Sequence, residues 1–216
     1  MITAENIHKS FGNLEVLRGV SLSIKKGEIV SIIGTSGAGK TTLLQILGTL
    51  SKSDSGIIKI NNRKIDSLTD EKLSEFRNCE IGFIFQSNHL LPEFTALENV
   101  CIPAWIKKDS KKITEERAID ILSNLGLSER LHHKPMELSG GELQRVAVAR
   151  ALINKPSVIF ADEPSGNLDT DSSRNLHKLF FKLRDIYGQT FVIVTHNREL
   201  AEMSDRMIEM KDGKIF

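Results

Sequence analysis

Alternating and continuous runs of apolar residues predict the strands in the first part of the chain. Residues 20–24 alternate apolar and polar side chains, which is the two-residue period of a half-buried strand. After a turn at residues 26–27, residues 28–33 form an almost uninterrupted apolar run, typical of a strand buried on both faces of a parallel sheet. This second strand leads directly into a glycine-rich loop and a helix.

Helical patterns dominate residues 67–135, where Thr69 and Thr114 stand at positions that favour N-caps. Strand and helix patterns then alternate again, and the tail predicts a hairpin that turns at Asp212-Gly213. We therefore predict one α/β domain in which a helical subdomain, about residues 86–155, interrupts a core of about residues 1–85 and 156–216.

Composition narrows the classes of protein. The 216 residues suffice for one sizeable core, and a net charge of +1 gives no reason to expect nucleic-acid binding. The two cysteines, Cys79 and Cys101, are too few and too far apart for a zinc site or a disulfide framework. With no run near the roughly 20 apolar residues of a membrane span, and no secretion signal at the start, we expect a cytoplasmic chain that meets a membrane only through partners.

The glycine-rich loop GTSGAGKT, residues 34–41, fits the pattern G-x-x-x-x-G-K-[ST] between a strand and a helix. Its glycines let backbone N–H groups converge on phosphate oxygens, and Lys40 adds a mobile positive charge. The Thr41 hydroxyl is a hard oxygen ligand suited to Mg²⁺. The alternative, a glycine-rich turn with a chance lysine, is disfavoured by the flanking strand and helix. The predicted phosphate-binding residues are Gly34, Thr35, Ser36, Gly37, Ala38, Gly39, Lys40, Thr41 and Thr42.

Two further apolar strands end in residues that could act on a phosphate. In VIFADEP, Asp162 is suited to hold Mg²⁺ through water, and Glu163 to orient or deprotonate the attacking water. In TFVIVTH, His196 would stand at the sheet edge where α/β folds bind ligands and could donate to the γ-phosphate. Acids at strand ends also serve as helix caps, and a lone histidine is more often structural. The predicted catalytic residues are Glu163, His196 and Lys40.

A second glycine pair begins a helix in ELSGGELQRVAVARAL. Ser139 and Glu142 fit a capping box. A capping box does not require two adjacent glycines, and Gly140 and Gly141 leave bare amides at a helix N-terminus, which favours an anion. From the residues alone, that anion could belong to the same chain or to another one.

The order of these motifs resembles the ATP-binding subunits of ABC transporters over essentially the whole chain. GTSGAGKT, Gln86 in FIFQ, LSGGE, VIFADEP, SGNLD and VTH carry the resemblance, and LSGGE directly before QRVAVARAL is very specific. The resemblance implies an ATP-hydrolysing P-loop core with a mostly parallel central sheet, an N-terminal antiparallel β subdomain and an inserted helical subdomain. In the family, two chains form a homodimer head to tail, so that each ATP lies between one phosphate loop and the other chain's signature helix.

Further roles follow only from the resemblance. Gln86 would sense Mg²⁺ and the attacking water, Asp169 would lie at the dimer seam, and Phe11 would stack on adenine, although a core aromatic is an equal alternative for Phe11. Position 142 is glutamate where the family's commonest signature has glutamine. These roles extend the predicted nucleotide-binding set by Phe11, Gln86, Ser139, Gly140, Gly141, Glu142 and Asp169, and the predicted Mg²⁺ ligands are Thr41, Gln86 and Asp162.

The segment after Gln86 bears on partners. In the family this segment accepts a short helix from one of two membrane permease subunits, although its apolar residues could simply pack the helical subdomain. HLLPEFTALENV is similar to the ATPase of lipoprotein-releasing (Lol) complexes, which is peripheral to the cytoplasmic side of the bacterial inner membrane. Macrolide-export and cell-division ATPases share most of the pattern. A nucleotide kinase would not need LSGGE, and a DNA-repair ATPase would carry coiled-coil heptads that do not occur here.

Overall fold

Two β-sheets organise the chain in the computed structural model, which describes residues 1–216. The strands are β1 (Ile2–Phe11), β2 (Leu14–Ile24), β3 (Ile29–Gly34), β4 (Ser55–Ile60), β5 (Arg63–Lys64), β6 (Ile81–Phe85), β7 (Val158–Asp162), β8 (Thr190–Val194), β9 (Arg206–Lys211) and β10 (Lys214–Ile215). The helices are α1 (Lys40–Leu47), α2 (Asp70–Glu80), α3 (Ala96–Ile106), α4 (Lys111–Asn124), α5 (Gly140–Leu152), α6 (Thr170–Tyr187) and α7 (Arg198–Met203), with short 3₁₀ helices at Ser128–Arg130 and Pro135–Glu137.

The sheet topology confirms the predicted fold class. Strands β2-β1-β4-β5 form an antiparallel sheet from the first part of the chain, and β10-β9-β3-β8-β7-β6 form a six-stranded sheet. All pairs in the larger sheet are parallel except the β9–β10 hairpin. That hairpin turns at Asp212-Gly213 as predicted, and both turn residues have positive φ, of 48° and 78°.

The central strands of the larger sheet are buried on both faces. Successive residues of β7 alternate between two apolar cores: Val158 and Phe160 face the antiparallel sheet and α1, while Ile159 and Ala161 face helices α3 to α6. This explains the continuous apolar runs in the sequence, because a strand covered on both faces has no polar side.

Parallel register brings the predicted site segments together. In the paired strands, Val194 of β8 lies opposite Ile32 of β3 on one side and opposite Asp162 of β7 on the other. Since parallel strands end at the same edge of a sheet, the segments that follow β3, β7 and β8 leave the sheet side by side.

Two details of the predicted middle region are wrong. Helix α4 begins at Lys111 with Ser110 at its N-cap, so Thr114 is a buried residue within the helix and not its cap. Lys111 and Lys112 form the first turn of α4, where Lys111 lies 3.9 Å from Glu115. The helical stretch also contains a core strand, β6, because α2 runs into it at Ile81 without a glycine or proline to mark the change. The Thr69 cap of α2 is confirmed. The subdomain limits near residues 85 and 155 stay predictions.

Candidate functional site

The glycine-rich loop between β3 and α1 requires glycine at two positions for space. Gly34 has φ +150°, and a Cβ there would collide with the carbonyl oxygen of Met210 on β9. Gly39 has φ +95°, and a Cβ there would lie 2.9 Å from Leu17 and 3.0 Å from the Val16 carbonyl. The loop is therefore pressed against both sheets, which fixes the course of its backbone above α1.

Lys40 folds back over this loop. Its Nζ donates hydrogen bonds to the carbonyl oxygens of Gly34 and Thr35, both at 2.9 Å. These bonds hold the ammonium group over the loop, where it adds to the positive end of the α1 dipole. An anion that enters the loop would meet both charges.

The hydroxyl of Thr41 and the carboxylate of Asp162 meet across the gap between α1 and β7. Thr41 Oγ1 donates to Asp162 Oδ1 at 3.2 Å. Burial raises the pKa of Asp162, an effect that the Thr41 hydrogen bond opposes. Burial disfavours the charged form of this carboxylate, and a nearby cation would stabilise it. Two hard oxygen donors at this distance also fit Mg²⁺. No cluster of three or more His, Cys, Asp or Glu residues stands ready to hold a metal ion by itself. A cation here would therefore take most of its ligands from phosphate and water.

Glu163 and His196 lie at the ends of neighbouring strands and contact each other. Glu163 has φ +46°, which is uncommon for a residue other than glycine, and its backbone N–H donates to the Val194 carbonyl at 2.9 Å. Its side chain is 20% exposed, whereas that of His196 is 73% exposed. Glu163 and His196 line the same cavity as the glycine loop.

A cavity of about 570 Å³ above α1, at this sheet edge, is lined by nine of the predicted residues. Leu14, Val16 and Val194, which the sequence did not single out, supply its apolar wall. The predicted residues that line the cavity are Gly34, Ser36, Gly37, Gly39, Lys40, Thr41, Thr42, Glu163 and His196. Phe11 is not among them: it ends β1, is 56% exposed and has the Lys9 Nζ 5.5 Å from its ring centroid. Its predicted contact with adenine stays a prediction.

Gln86 follows β6 and is tied to the segment after Glu163. Its Nε2 donates to Asn167 Oδ1 at 3.1 Å, and Asn167 Nδ2 returns a bond to the Gln86 carbonyl at 3.1 Å. Two residues later, Asp169 caps α6 by accepting from the Ser172 N–H at 2.9 Å. Sequence reasoning missed Asn167, although it lies inside the quoted SGNLD motif.

The start of α5 forms the complete capping box that LSGGE allows. Both the Ser139 N–H and its hydroxyl donate to Glu142 Oε2 at 2.8 Å, and Arg130 Nε donates to Glu142 Oε1 at 2.9 Å. The bonds from Ser139, followed by that from Arg130, lower the pKa of Glu142 to about 2. The Glu142 carboxylate is thus a helix cap within its own chain.

None of residues 139–142 lines the cavity above α1. Ser139 and Gly140 are exposed, and the amides of Gly140 and Gly141, at the first turn of α5, have no partner within the helix. The two glycine-rich helix starts of the chain therefore do not share one enclosed site.

Two side chains that the sequence did not single out shape the segment after Gln86. Arg150 of α5 donates to the carbonyl oxygens of Asn88 and His89, both at 2.6 Å. Buried Asn99 of α3 accepts from the Leu91 N–H and donates to three carbonyl oxygens between residues 91 and 95. The Arg150 contacts span 61 and 62 residues, so no local pattern could indicate them.

A glycine loop between a parallel strand and a helix, with acids at the end of another strand of the same sheet, defines a P-loop nucleotide-binding protein. A sequence profile of the ABC transporter family matches residues 17–166, which is more than half of the chain. The chain belongs to the ABC transporter family, as an ATPase domain.

Curated relatives match the chain over its whole length. A protein of Bacteroides thetaiotaomicron named "Lipoprotein-releasing system ATP-binding protein LolD" is 61% identical over 215 residues, covering 100% of this chain and 99% of its own. A protein of the same name from Porphyromonas gingivalis is 59% identical over 216 residues, again with 100% and 99% coverage.

Solved structures agree with the fold. The dimeric structure of MJ0796, a bacterial ABC transporter cassette, is 42% identical with a TM-score of 0.91 and covers 100% of this chain and 96% of its own. The same cassette in a dimeric post-hydrolysis state bound to ADP and Pi gives a TM-score of 0.90 at 41% identity, with the same coverage.

Proposed function

We propose that the chain is the ATP-hydrolysing subunit of a bacterial inner-membrane complex that releases lipoproteins for transfer to the outer membrane. ATP hydrolysis is supported above all by the cavity above α1, which the glycine loop lines together with Lys40, Glu163 and His196. The lipoprotein-releasing role is supported by relatives of that name at 59 to 61% identity over the whole chain.

In this proposal, each residue of the cavity acts on one part of the substrate. Lys40 and the loop amides bind the outer phosphates of ATP, and His196 donates to the γ-phosphate. The Glu163 carboxylate accepts a proton from the attacking water as that water adds to the γ-phosphorus, and the bond from the γ-phosphorus to the bridging oxygen breaks to release ADP. Thr41, Asp162 and Gln86 would hold Mg²⁺, which when bound neutralises charge on the phosphates.

We further propose that the exposed start of α5 binds the γ-phosphate of ATP on a second copy of the chain. The unpartnered amides of Gly140 and Gly141 lie outside the cavity of their own chain, which supports a partner in trans. The dimeric state of the similar cassettes supports the same arrangement. A two-fold axis would then create two equal sites, and closure of the dimer would drive the attached subunits.

Two membrane permease subunits are the proposed partners of the segment after Gln86. Leu91 and Phe94 are 44% and 36% exposed there, although the backbone around them is fixed by Asn99 and Arg150. A rigid surface with exposed apolar side chains suits an amphipathic helix. No helix of the chain combines the length and the apolar content that a bilayer crossing demands. Attachment to the cytoplasmic face of the membrane would therefore come from these partners.

Isolation of the tagged chain from detergent-solubilised host membranes tests this function. We expect permease subunits to co-purify, and the complex in liposomes to release an acylated lipoprotein when ATP is added. Leu91→Glu and Phe94→Glu should lose the permeases, whereas Met207→Glu, at another exposed apolar residue, should keep them. Co-purification of macrolide-export or cell-division membrane proteins, without lipoprotein release, would overturn the assignment.

A further inference from the structure

A buried polar cluster lies beneath the turn that follows Glu163. His177 of α6 is 1% exposed, and its Nε2 lies 3.2 Å from the Oγ of Ser165 and 3.3 Å from the Oγ of Ser173. Both serines are buried as well. Ser173 stands one helical turn before His177 on α6, whereas Ser165 belongs to the turn. The imidazole therefore joins the helix to the turn.

The second ring nitrogen of His177 is the unsatisfied polar atom of this cluster. Nδ1 is buried and has no hydrogen-bond partner. Burial lowers the pKa of His177, so the ring is neutral near pH 7. With its proton on Nε2, the ring donates a hydrogen bond towards the serines, and Nδ1 is an acceptor without a partner. An unsatisfied acceptor costs less than an unsatisfied N–H donor would. An apolar side chain would leave the buried hydroxyls of Ser165 and Ser173 without this partner, so the histidine serves the two hydroxyls and does not only fill space.

The turn that His177 supports determines the direction of Glu163. The Gly166 N–H donates to the Glu163 carbonyl at 3.0 Å, and the Leu168 N–H donates to the Ser165 carbonyl at 3.1 Å. Glu163 itself holds a φ of +46°, a conformation that persists only where the surroundings impose it. A shift of Ser165 would therefore pass directly to the Glu163 backbone.

The same turn also reaches two other predicted site residues. Asn167 exchanges hydrogen bonds with Gln86, and the chain then enters α6 at Asp169. Ser165 is the only residue between Glu163 and Asn167 whose side chain bonds to the helix below. It is thus the point at which α6 holds the turn.

We propose that His177 is a positioning residue, which holds the 163–168 turn through Ser165 so that the Glu163 carboxylate faces the phosphate cavity. The proposal rests on the proposed function, since its effect is on ATP hydrolysis. It concerns the rate of the chemical step and not the binding of ATP, because His177 and Ser165 lie outside the cavity above α1.

Two amide variants distinguish positioning from packing. A glutamine carries its terminal amide at about the reach of imidazole Nε2, and an asparagine at that of Nδ1. We expect His177→Gln to keep kcat near the wild-type value. His177→Asn should lower kcat by about ten- to a hundredfold, the scale of a misplaced catalytic group, with KM for ATP unchanged. Thermal unfolding of each variant shows that it is folded.

Serine variants provide the matched control. Ser165→Ala removes the hydroxyl on the turn and should lower kcat as His177→Asn does, which keeps the test open even where His177→Asn is unstable. Ser173→Ala removes the other hydroxyl on the same nitrogen and should leave kcat near the wild-type value. Equal losses of kcat in His177→Gln and His177→Asn, or a wild-type kcat in Ser165→Ala, would overturn the proposal. A wild-type chain that does not hydrolyse ATP would overturn the proposed function itself.

Discussion

His196 and Glu163 are joined through a single carboxylate oxygen. Glu163 Oε2 lies 2.8 Å from His196 Nδ1 and also accepts the His196 backbone N–H at 3.2 Å. The pairing follows from the sheet, because the two residues lie just after the ends of the neighbouring parallel strands β7 and β8. His196, predicted from the sequence to reach the γ-phosphate, thus also orients the carboxylate that is predicted to activate water.

Glu163→Gln tests the role of that carboxylate. The amide keeps the size of the side chain but cannot take a proton from water, so turnover should fall by about 10²- to 10⁴-fold. ATP should stay bound, and a closed dimer should accumulate. Light scattering with bound-nucleotide analysis checks both. Glu199→Gln, at an exposed acid that contacts Arg174, is the matched control and should behave like the wild type. Full activity of Glu163→Gln would remove the proposed base.

Lys40→Ala tests the phosphate loop. Two hydrogen bonds within the chain hold the Lys40 ammonium group over the loop, where it would bind the outer phosphates. A hydrogen bond to a charged group contributes about 1.5–3 kcal/mol, and the change removes this contribution. ATP should therefore bind about ten- to a hundredfold more weakly, and turnover should fall as well. Titration calorimetry and a phosphate-release assay measure the two effects. Lys52→Ala removes an exposed lysine that pairs with Asp70, and it should change neither. Near-wild-type hydrolysis by Lys40→Ala would count against the site.

Ser139→Arg distinguishes the binding of ATP by one chain from the hydrolysis of ATP by two chains. Ser139 lies outside the cavity above α1, so the monomer should bind ATP nearly as the wild type does. Turnover should be abolished, because the arginine would fill the contact between α5 and the second copy. Ser110→Arg, at the N-cap of α4 where no side-chain cap bond exists, controls for a bulky cation at a helix start. Equal loss of monomer binding in Ser139→Arg would mean that α5 serves the phosphate of its own chain.

His177 predicts how the free energy of unfolding depends on pH. Burial lowers its pKa in the folded chain, with an opposing contribution from Glu199 of α7, which contacts Arg174. As the pH falls through 6.5, the ordinary pKa of histidine, His177 therefore takes up a proton in the unfolded chain, whereas in the folded chain it does so only at a lower pH. The stability contribution of His177 should be full above pH 6.5 and fall as the pH decreases below it. Urea unfolding between pH 5 and pH 8 should show this decline in the wild type and a smaller one in His177→Gln. Identical profiles would contradict a buried neutral imidazole.

Much of the fold follows from the sequence, because burial on one or both faces of a strand leaves a periodic trace. The central strands were predicted for this reason, whereas the β9–β10 turn was predicted from the Asp212-Gly213 pair. The start of α4 was not, since its first turn consists of polar residues that also suit a loop. Strand β6 was hidden because α2 passes into it without a break.

The candidate site, like the fold, could be predicted only in part from the sequence. Motifs placed Lys40 in the loop after β3 and the acids Asp162 and Glu163 at the end of another strand, and parallel register brings these segments together. Contacts such as Gln86 with Asn167, or His177 with Ser165, depend on the packing of separate elements and leave no local pattern. The sequence also left open whether Ser139 is a cap or an anion site. The structure contains the complete cap, and the role towards phosphate stays a prediction.

A disulfide that can form only between two copies tests most directly whether they share each site. In a background with Cys79→Ala, Cys101→Ala and Glu163→Gln, one preparation carries Ser36→Cys in the phosphate loop and another carries Ser139→Cys at the start of α5. After mixing with ATP and an oxidant, we predict a product of dimer mass whose peptides are linked between positions 36 and 139, and none without ATP. No such product in the mixture, together with a link inside a single chain that carries both cysteines, would contradict the account.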